Sequence, residues 1–132
     1  MTKYHLTATV TTKKDAQEAQ LKLEERVLEW TNTLCKALNN DYKRSYPDSH
    51  YDKFFEYTIG RKYIKVMGYT RQDGVCRSEG VHAFVDRKTG EVYKPASWKA
   101  PAKHVRYDLR VITEREECFN RADWAGGYLY IR

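Results

Sequence analysis

The sequence is poor in the residues that cross-link or interrupt small folds. It has three cysteines, three prolines and seven glycines among 132 residues. The cysteines, Cys35, Cys76 and Cys118, lie far apart and form no CxxC pair. Their number and spacing exclude a disulfide scaffold and a four-cysteine zinc site.

Long hydrophobic runs are also missing. No stretch approaches the roughly 18 apolar residues of a membrane-spanning helix, and none near the N-terminus has the form of a secretory signal. We therefore expect a protein without membrane association that stays in the cytoplasm of the cell where it is made. A composition of 41% hydrophobic and 32% charged residues is that of a globular chain. The length suits one domain, residues 1–132.

The common catalytic signatures are absent as well. The sequence contains no GxSxG, P-loop, GxGxxG or HExxH pattern. Its four histidines, His5, His50, His82 and His104, show no metal-ligand spacing. We therefore expect no catalytic residue, no metal site and no cofactor. Because distant residues can meet in a fold, an enzyme acting on a nucleotide, with His82 or His104 as acid or base, stays an alternative.

A helical pattern dominates the first third of the chain. Apolar residues at intervals of three or four predict a helix that begins at Asp15, the expected N-cap, and ends near Lys43. This stripe consists of Leu23, Val27, Trp30, Leu34, Leu38 and Tyr42. A second stripe consists of Leu21, Leu28 and Cys35. Since two stripes need two packing partners, we expect one on the chain's own sheet and the other on a second subunit.

Alternating residues and turn signals predict strands around this helix. We expect strands at 3–11, 53–59, 62–69, 81–86 and 91–94, a flexible connector at 70–80, a long loop at 95–103, a helix from Thr113 to Ala122 and a last strand around Tyr128 and Tyr130. The predicted fold class is therefore α+β, with a mostly antiparallel β-sheet packed on one long N-terminal helix and a short C-terminal helix.

Positive charge is concentrated in one strip of the sequence. Lysine and arginine outnumber the acids by 24 to 18, which gives a net charge of +6 and favours an anionic partner. Residues 86–110 hold seven of these cations against three acids, interleaved with Tyr93, Trp98 and Tyr107. Arginines bind phosphate and aromatic rings stack on bases, so the strip predicts a nucleotide or nucleic-acid site. A solvated basic face with Trp98 in the core is the alternative.

The stretch HAFVDRKTGEVYKPASWKAPAKHVRYDLR also resembles a known family. It is similar to segments of the first-described family of Thoeris anti-defence proteins, which are phage proteins that sequester cyclic ADP-ribose signals. The resemblance covers residues 61–110. It implies a homo-oligomer built from dimers, such as a hexamer, with ligand pockets between protomers.

The resemblance assigns roles to individual residues. It implies that Phe84 stacks on adenine, that Lys94 makes the polar contact to the base, and that arginines hold the diphosphate. Lys94 stands where the family is expected to have Asn, and lysine can only donate hydrogen bonds. With Lys103 of the basic strip, the candidate ligand-binding residues are Arg61, Phe84, Lys94, Lys103, Arg106 and Arg110. Because Arg106 and Arg110 are four positions apart, they share a face in a helix or a strand, and we expect them to converge on one anion.

We therefore expect a phage-type anti-defence protein that binds a cyclic ADP-ribose-like nucleotide and does not cleave it. The alternative is a small basic nucleic-acid-binding protein of a phage. A virion or scaffold protein with a protein partner is a further hypothesis.

Overall fold

A computed structural model describes residues 12–131. The predicted N-terminal strand at 3–11 lies outside the described residues. The elements, in chain order, are helix α1 (Lys13–Ser45), strands β1 (Asp52–Ile59), β2 (Tyr63–Gln72), β3 (Val75–Asp86), β4 (Glu91–Tyr93) and β5 (Tyr107–Asp108), helix α2 (Ile112–Arg121) and a 3-10 helix (Gly127–Leu129). This confirms the predicted α+β class.

Helix α1 has 33 residues and is about 50 Å long. It is capped by Thr12, whose hydroxyl oxygen accepts a hydrogen bond from the backbone N–H of Asp15 at 3.0 Å. The prediction that Asp15 is the N-cap was therefore wrong, because the cap lies three residues earlier and Asp15 occupies the first turn. Among residues 12–131, no helix is apolar enough over a sufficient length to cross a membrane.

The five strands form one antiparallel sheet in the order β1-β2-β3-β4-β5. The turn between β3 and β4 confirms the expected hairpin, since Gly90 has φ 80° and its N–H donates to the Asp86 carbonyl at 2.8 Å. Strand β5 was not predicted. It is only two residues long, which is too short for an alternating pattern to be recognised.

The segment at 70–80, predicted to be a flexible connector, is an antiparallel hairpin with one register shift, at Glu79. Strands β2 and β3 continue through it and meet at Asp73 and Gly74, which have φ of 52° and 79°. Two consecutive residues with positive φ are typical of a type I′ turn, in which Asp-Gly is strongly favoured. The dipeptide itself was therefore the signal that the sequence analysis missed.

The hydrophobic core lies between α1 and one face of the sheet. Neighbouring residues in register share a face, so Ile64, Val85 and Val92 form a row that faces the helix, and none of them is exposed to solvent. The adjacent row, Lys65, Phe84 and Tyr93, must point to the opposite face of the sheet. We call that opposite side the outer face.

The second stripe of α1 does not form a separate apolar face. Cys35 is buried in the core and Leu28 packs against the core, whereas Leu21 is 60% exposed. The core is therefore wide enough to take most of both stripes, and only Leu21 of the second stripe is exposed. The expected homo-oligomer stays a prediction.

The C-terminal elements differ in part from the predicted ones. Helix α2 confirms the expected short helix, but it begins at Ile112, one residue before the predicted start, and Val111 precedes it without a side-chain cap. The predicted last strand is instead the 3-10 helix, because the Asp123 carboxylate accepts the N–H groups of Gly127 and Tyr128 and bends the chain into a turn.

One side chain links α1 to strand β1, which is the first strand of the sheet among the described residues. The Asn39 amide accepts the N–H of Phe55 at 2.6 Å and donates to the Phe55 carbonyl at 3.3 Å. Asn39→Ala is therefore expected to lower the free energy of unfolding by roughly 1–3 kcal/mol, since it leaves two backbone groups of β1 without a partner. Urea unfolding measures the loss. The matched variant Asn40→Ala, at an exposed neighbour, should change it by less than about 0.5 kcal/mol. Equal effects at the two positions would contradict this role.

A half-buried histidine makes the stability dependent on pH. His82 Nε2 lies 2.8 Å from the Tyr128 hydroxyl, and burial lowers the pKa of His82 from 6.5 to about 4, against a weaker raising effect of Asp123. The unfolded chain therefore binds a proton near pH 6.5 that the folded chain does not bind until about pH 4. Stability should fall as the pH is lowered through this window, by up to roughly 3 kcal/mol from this residue.

His82→Gln removes this titration. Unfolding followed from pH 7 to pH 4 should show a shallower loss of stability for the variant than for the wild type. Parallel curves would mean that the fold does not hold His82 as a neutral side chain.

Candidate functional site

The structure does not bring the six predicted ligand-binding residues together. Arg61 is exposed in the turn between β1 and β2, and Lys103 is exposed in the loop at 95–103. Lys94 directly follows β4, and its ammonium lies 4.9 Å from the centroid of the Tyr130 ring.

Phe84 cannot stack on a ligand in this structure because its ring is fully buried, at 0% exposure. It lies on the outer face of the sheet, where the edge of Tyr63 approaches at 5.6 Å between ring centroids. The ammonium of Lys65 lies 5.7 Å from the Phe84 centroid and donates to the carbonyl of Trp98. The loop at 95–103 is thereby held to the strand beside Phe84. The predicted stacking role is corrected to a packing role.

Arg106 and Arg110 do not converge on one anion. The Arg106 guanidinium donates to the carbonyls of Lys103, His104 and Leu129, so it fastens the loop to the C-terminal segment. Arg110 instead forms a bidentate pair with Asp108, at 3.0 and 2.8 Å. The two arginines also line different cavities. Spacing allowed a shared face, but the chain turns between the two residues and separates them.

Arg110 nevertheless borders a strongly basic groove between α1 and the start of α2. The groove has a volume of about 440 Å³ and is open to solvent. Its lining combines four cations with four apolar side chains. These residues are Lys22, Arg26, Arg110 and Arg115, and Ala19, Leu23, Trp30 and Ile112. We refer to this set as the basic groove.

Two cations of the basic groove are held in place, and two are free to bind. The Arg115 guanidinium lies 4.5 Å from the centroid of the Trp30 ring and donates to the Leu109 carbonyl at 2.8 Å. Lys22 and Arg26 are exposed on α1. Within residues 12–131 neither has an ion-pair partner.

Three carboxylates lie at or beside the groove and offset part of its positive charge. Asp108 is paired with Arg110, which lowers the pKa of the carboxyl and raises that of the guanidinium, so both stay charged. Glu25 and Glu29 line the neighbouring recess on α1, together with Lys22, Arg26 and Trp30. Four positive charges around a partly exposed indole can attract a phosphate group and a flat ring.

Sequence reasoning missed most of this groove. Lys22, Arg26 and Trp30 are spaced by four positions and therefore share one face of α1. That spacing was a usable signal, although Trp30 was assigned to the core stripe. The contribution of Arg115 depends on how α2 packs against α1, and no local pattern encodes it.

The described residues offer little support for metal chemistry. Among residues 12–131, no group of three or more His, Cys, Asp or Glu side chains could hold a metal ion. The buried thiols of Cys35 and Cys118 have pKa values raised to about 12 by burial, so they are poor nucleophiles.

The fold and the basic groove define an α+β protein with an accessible groove that is lined by cations. The chain belongs to a family of unknown function, DUF7717, which matches residues 9–131. Comparison with curated proteins found no match, and comparison with solved structures found none.

The buried position of Phe84 can be tested by stability. Phe84→Ala is expected to lower the free energy of unfolding by roughly 3–5 kcal/mol, because it leaves a cavity beside the sheet. Ile59→Ala, at a strand residue that is 54% exposed, serves as the control and should cost less than about 1 kcal/mol. Urea unfolding compares the two variants. A similarly small cost at Phe84 would indicate an open ring, as the stacking role requires.

Proposed function

We propose that the protein binds a phosphate-bearing nucleotide in the basic groove and does not cleave it. The observation that carries this proposal is the convergence of Lys22, Arg26, Arg110 and Arg115 around Trp30. Only one carboxylate, that of Asp108, is paired with any of these cations among the described residues.

The groove offers a separate contact for each part of a nucleotide. The exposed cations Lys22 and Arg26 suit phosphate oxygens, since neither has to give up an ion pair within the described chain. The stacked pair of Arg115 and Trp30 offers a flat, partly polar surface to a base. The cations form stronger, charge-assisted hydrogen bonds with phosphate oxygens than with a neutral group, so the groove should prefer a diphosphate to a neutral ligand.

The lining supports binding rather than turnover. Its side chains are cations and apolar groups. A general base would have to be a neutral histidine, a free carboxylate or a thiolate close to the bound ligand. Among the described residues, the side chains that line the groove itself include none of these groups, and the carboxylates of Glu25 and Glu29 lie in the neighbouring recess.

Cyclic ADP-ribose and its isomers are the first ligands to test, because they combine adenine with a diphosphate. The stretch 61–110 that resembles the anti-defence family contributes only Arg110 to the groove, so the choice of ligand depends on the groove's chemistry and not on the residue roles that the resemblance implies. A role in phage anti-defence, a cytoplasmic location and a dimer-based oligomer belong to the same proposal. They depend on the ligand being a signal of this kind.

Arg26→Ala is expected to weaken nucleotide binding about tenfold or more, since it removes one charged contact to phosphate. Isothermal titration of the full chain with cyclic ADP-ribose, and with ADP as a second diphosphate, measures the change. Lys36→Ala removes an exposed lysine of α1 outside the groove lining and is the matched control. Equal affinity of the Arg26 variant and the control would contradict the site.

Recovery of the ligand tests whether it is cleaved. After incubation, washing and heat denaturation, mass spectrometry should find the cyclic nucleotide intact. A linear product would indicate an enzyme. The absence of any retained nucleotide would contradict the proposed function.

A further inference from the structure

Trp98 is displayed on the outer face of the sheet, away from the basic groove. Its side chain is 64% exposed, although tryptophan is usually well buried. The ammonium of Lys65 lies 4.9 Å from the indole centroid and donates to the Trp98 carbonyl at 2.9 Å. A strand residue therefore holds this exposed ring in position.

The loop that carries Trp98 is fixed at its base. The N–H groups of Ala96 and Ser97 donate to the Ala100 carbonyl, and the N–H of Ala102 donates to the Lys94 carbonyl at 2.7 Å. Pro95 and Pro101 face each other as an isolated antiparallel bridge. These contacts and the stiffness of proline restrict the backbone conformations that are open to the loop.

Two further aromatic rings lie on the same face of the sheet as Lys65, the residue that contacts Trp98. Tyr63 and Tyr93 are half-buried on the outer face, with ring centroids 6.2 Å apart. The ammonium of Lys62 lies 5.3 Å from the Tyr63 ring, and that of Lys99 lies 5.9 Å from the Trp98 ring. We name this surface, consisting of Tyr63, Lys65, Tyr93, Trp98 and Lys99, the Trp98 platform.

The charge around the Trp98 platform is positive. Arg61, Lys62, Lys99 and Lys103 are all exposed on its two flanking loops. None of them forms an ion pair within the described part of the chain. The Arg87 guanidinium fixes the first loop by donating to the Gly60 and Arg61 carbonyls.

The nearby acids are already engaged in the turn between β3 and β4. The Asp86 carboxylate accepts the N–H groups of Lys88 and Thr89, and the Glu91 carboxylate accepts the Thr89 hydroxyl. These hydrogen bonds do not cancel the negative charge of the two carboxylates, which offsets part of the positive charge at this end of the platform. Within the described residues neither acid forms an ion pair with one of the four exposed cations, so those cations can still contact an external anion.

We propose that the Trp98 platform binds single-stranded nucleic acid. The rings would stack on unpaired bases and the flanking cations would contact the phosphates, as on sequence-tolerant single-strand surfaces. A duplex hides the faces of its bases and cannot use Trp98 in this way. An acidic protein segment would match the charge but would offer no planar face for the indole.

Binding is tested with a dye-labelled 20-nucleotide thymidine strand and the full chain, followed by fluorescence anisotropy. Trp98→Ala is expected to weaken binding roughly 5- to 150-fold, the effect of losing one stacked base. Trp98→Phe keeps an aromatic ring and should retain most of the wild-type affinity. Lys36→Ala, on α1, should leave the affinity unchanged. Because Trp98 is exposed, we expect every variant to keep the circular dichroism spectrum of the wild type.

Salt dependence provides the second measurement. If the four flanking cations neutralise phosphates, the logarithm of the binding constant should fall with that of salt concentration with a slope of about −3. Lys62→Ala should reduce this slope by about 0.7. The basic groove is tested separately with mononucleotides, so failure of one proposal is distinguishable from failure of the other.

Three results would overturn the proposal. In the first, the wild type and Trp98→Ala bind the strand with equal affinity. In the second, the wild type binds the strand and a duplex of the same length equally well. In the third, polyglutamate at an equal charge concentration displaces the strand. The last result would assign the platform to an acidic protein partner.

Discussion

The packing of α1 on one face of the sheet is the contact on which the other features of the structure depend. It takes the row Ile64, Val85 and Val92 out of solvent and leaves Lys65, Phe84 and Tyr93 on the opposite face. Because α1 is about 50 Å long, its N-terminal part also reaches Arg110 and α2, where the basic groove forms. Both candidate surfaces therefore follow from how this helix is placed.

The two surfaces use the same residue chemistry in different ways. In the basic groove, cations converge around one indole and can enclose a small anion. On the outer face, an exposed indole stands on a fixed loop, with cations spread along its flanks. The first arrangement suits a nucleotide with few charges. The second suits a chain of phosphates, for which affinity depends strongly on salt.

Periodicity predicted the helices, most strands and the fold class because core contacts repeat along each element. The contacts of individual side chains were predicted less well. Phe84 and Arg106 had the residue types of a ligand site, but the fold uses one for packing and the other to fasten a loop. The pairing of Arg115 with Trp30 depends on the docking of α2 against α1. Such a contact joins residues distant in sequence, so local pattern reasoning could not find it.

The three tryptophans allow the most direct measurement, since each reports on a different part of the molecule. Trp30 lies in the basic groove, Trp98 on the outer face, and Trp124 against Tyr42 and Tyr46 near the end of α1. Their indole N–H signals can be followed by nitrogen-15 NMR while cyclic ADP-ribose is added. Nucleotide binding in the basic groove predicts a saturable shift of the Trp30 signal and an unchanged Trp124 signal. A Trp30 signal that stays in place up to millimolar nucleotide would contradict the account.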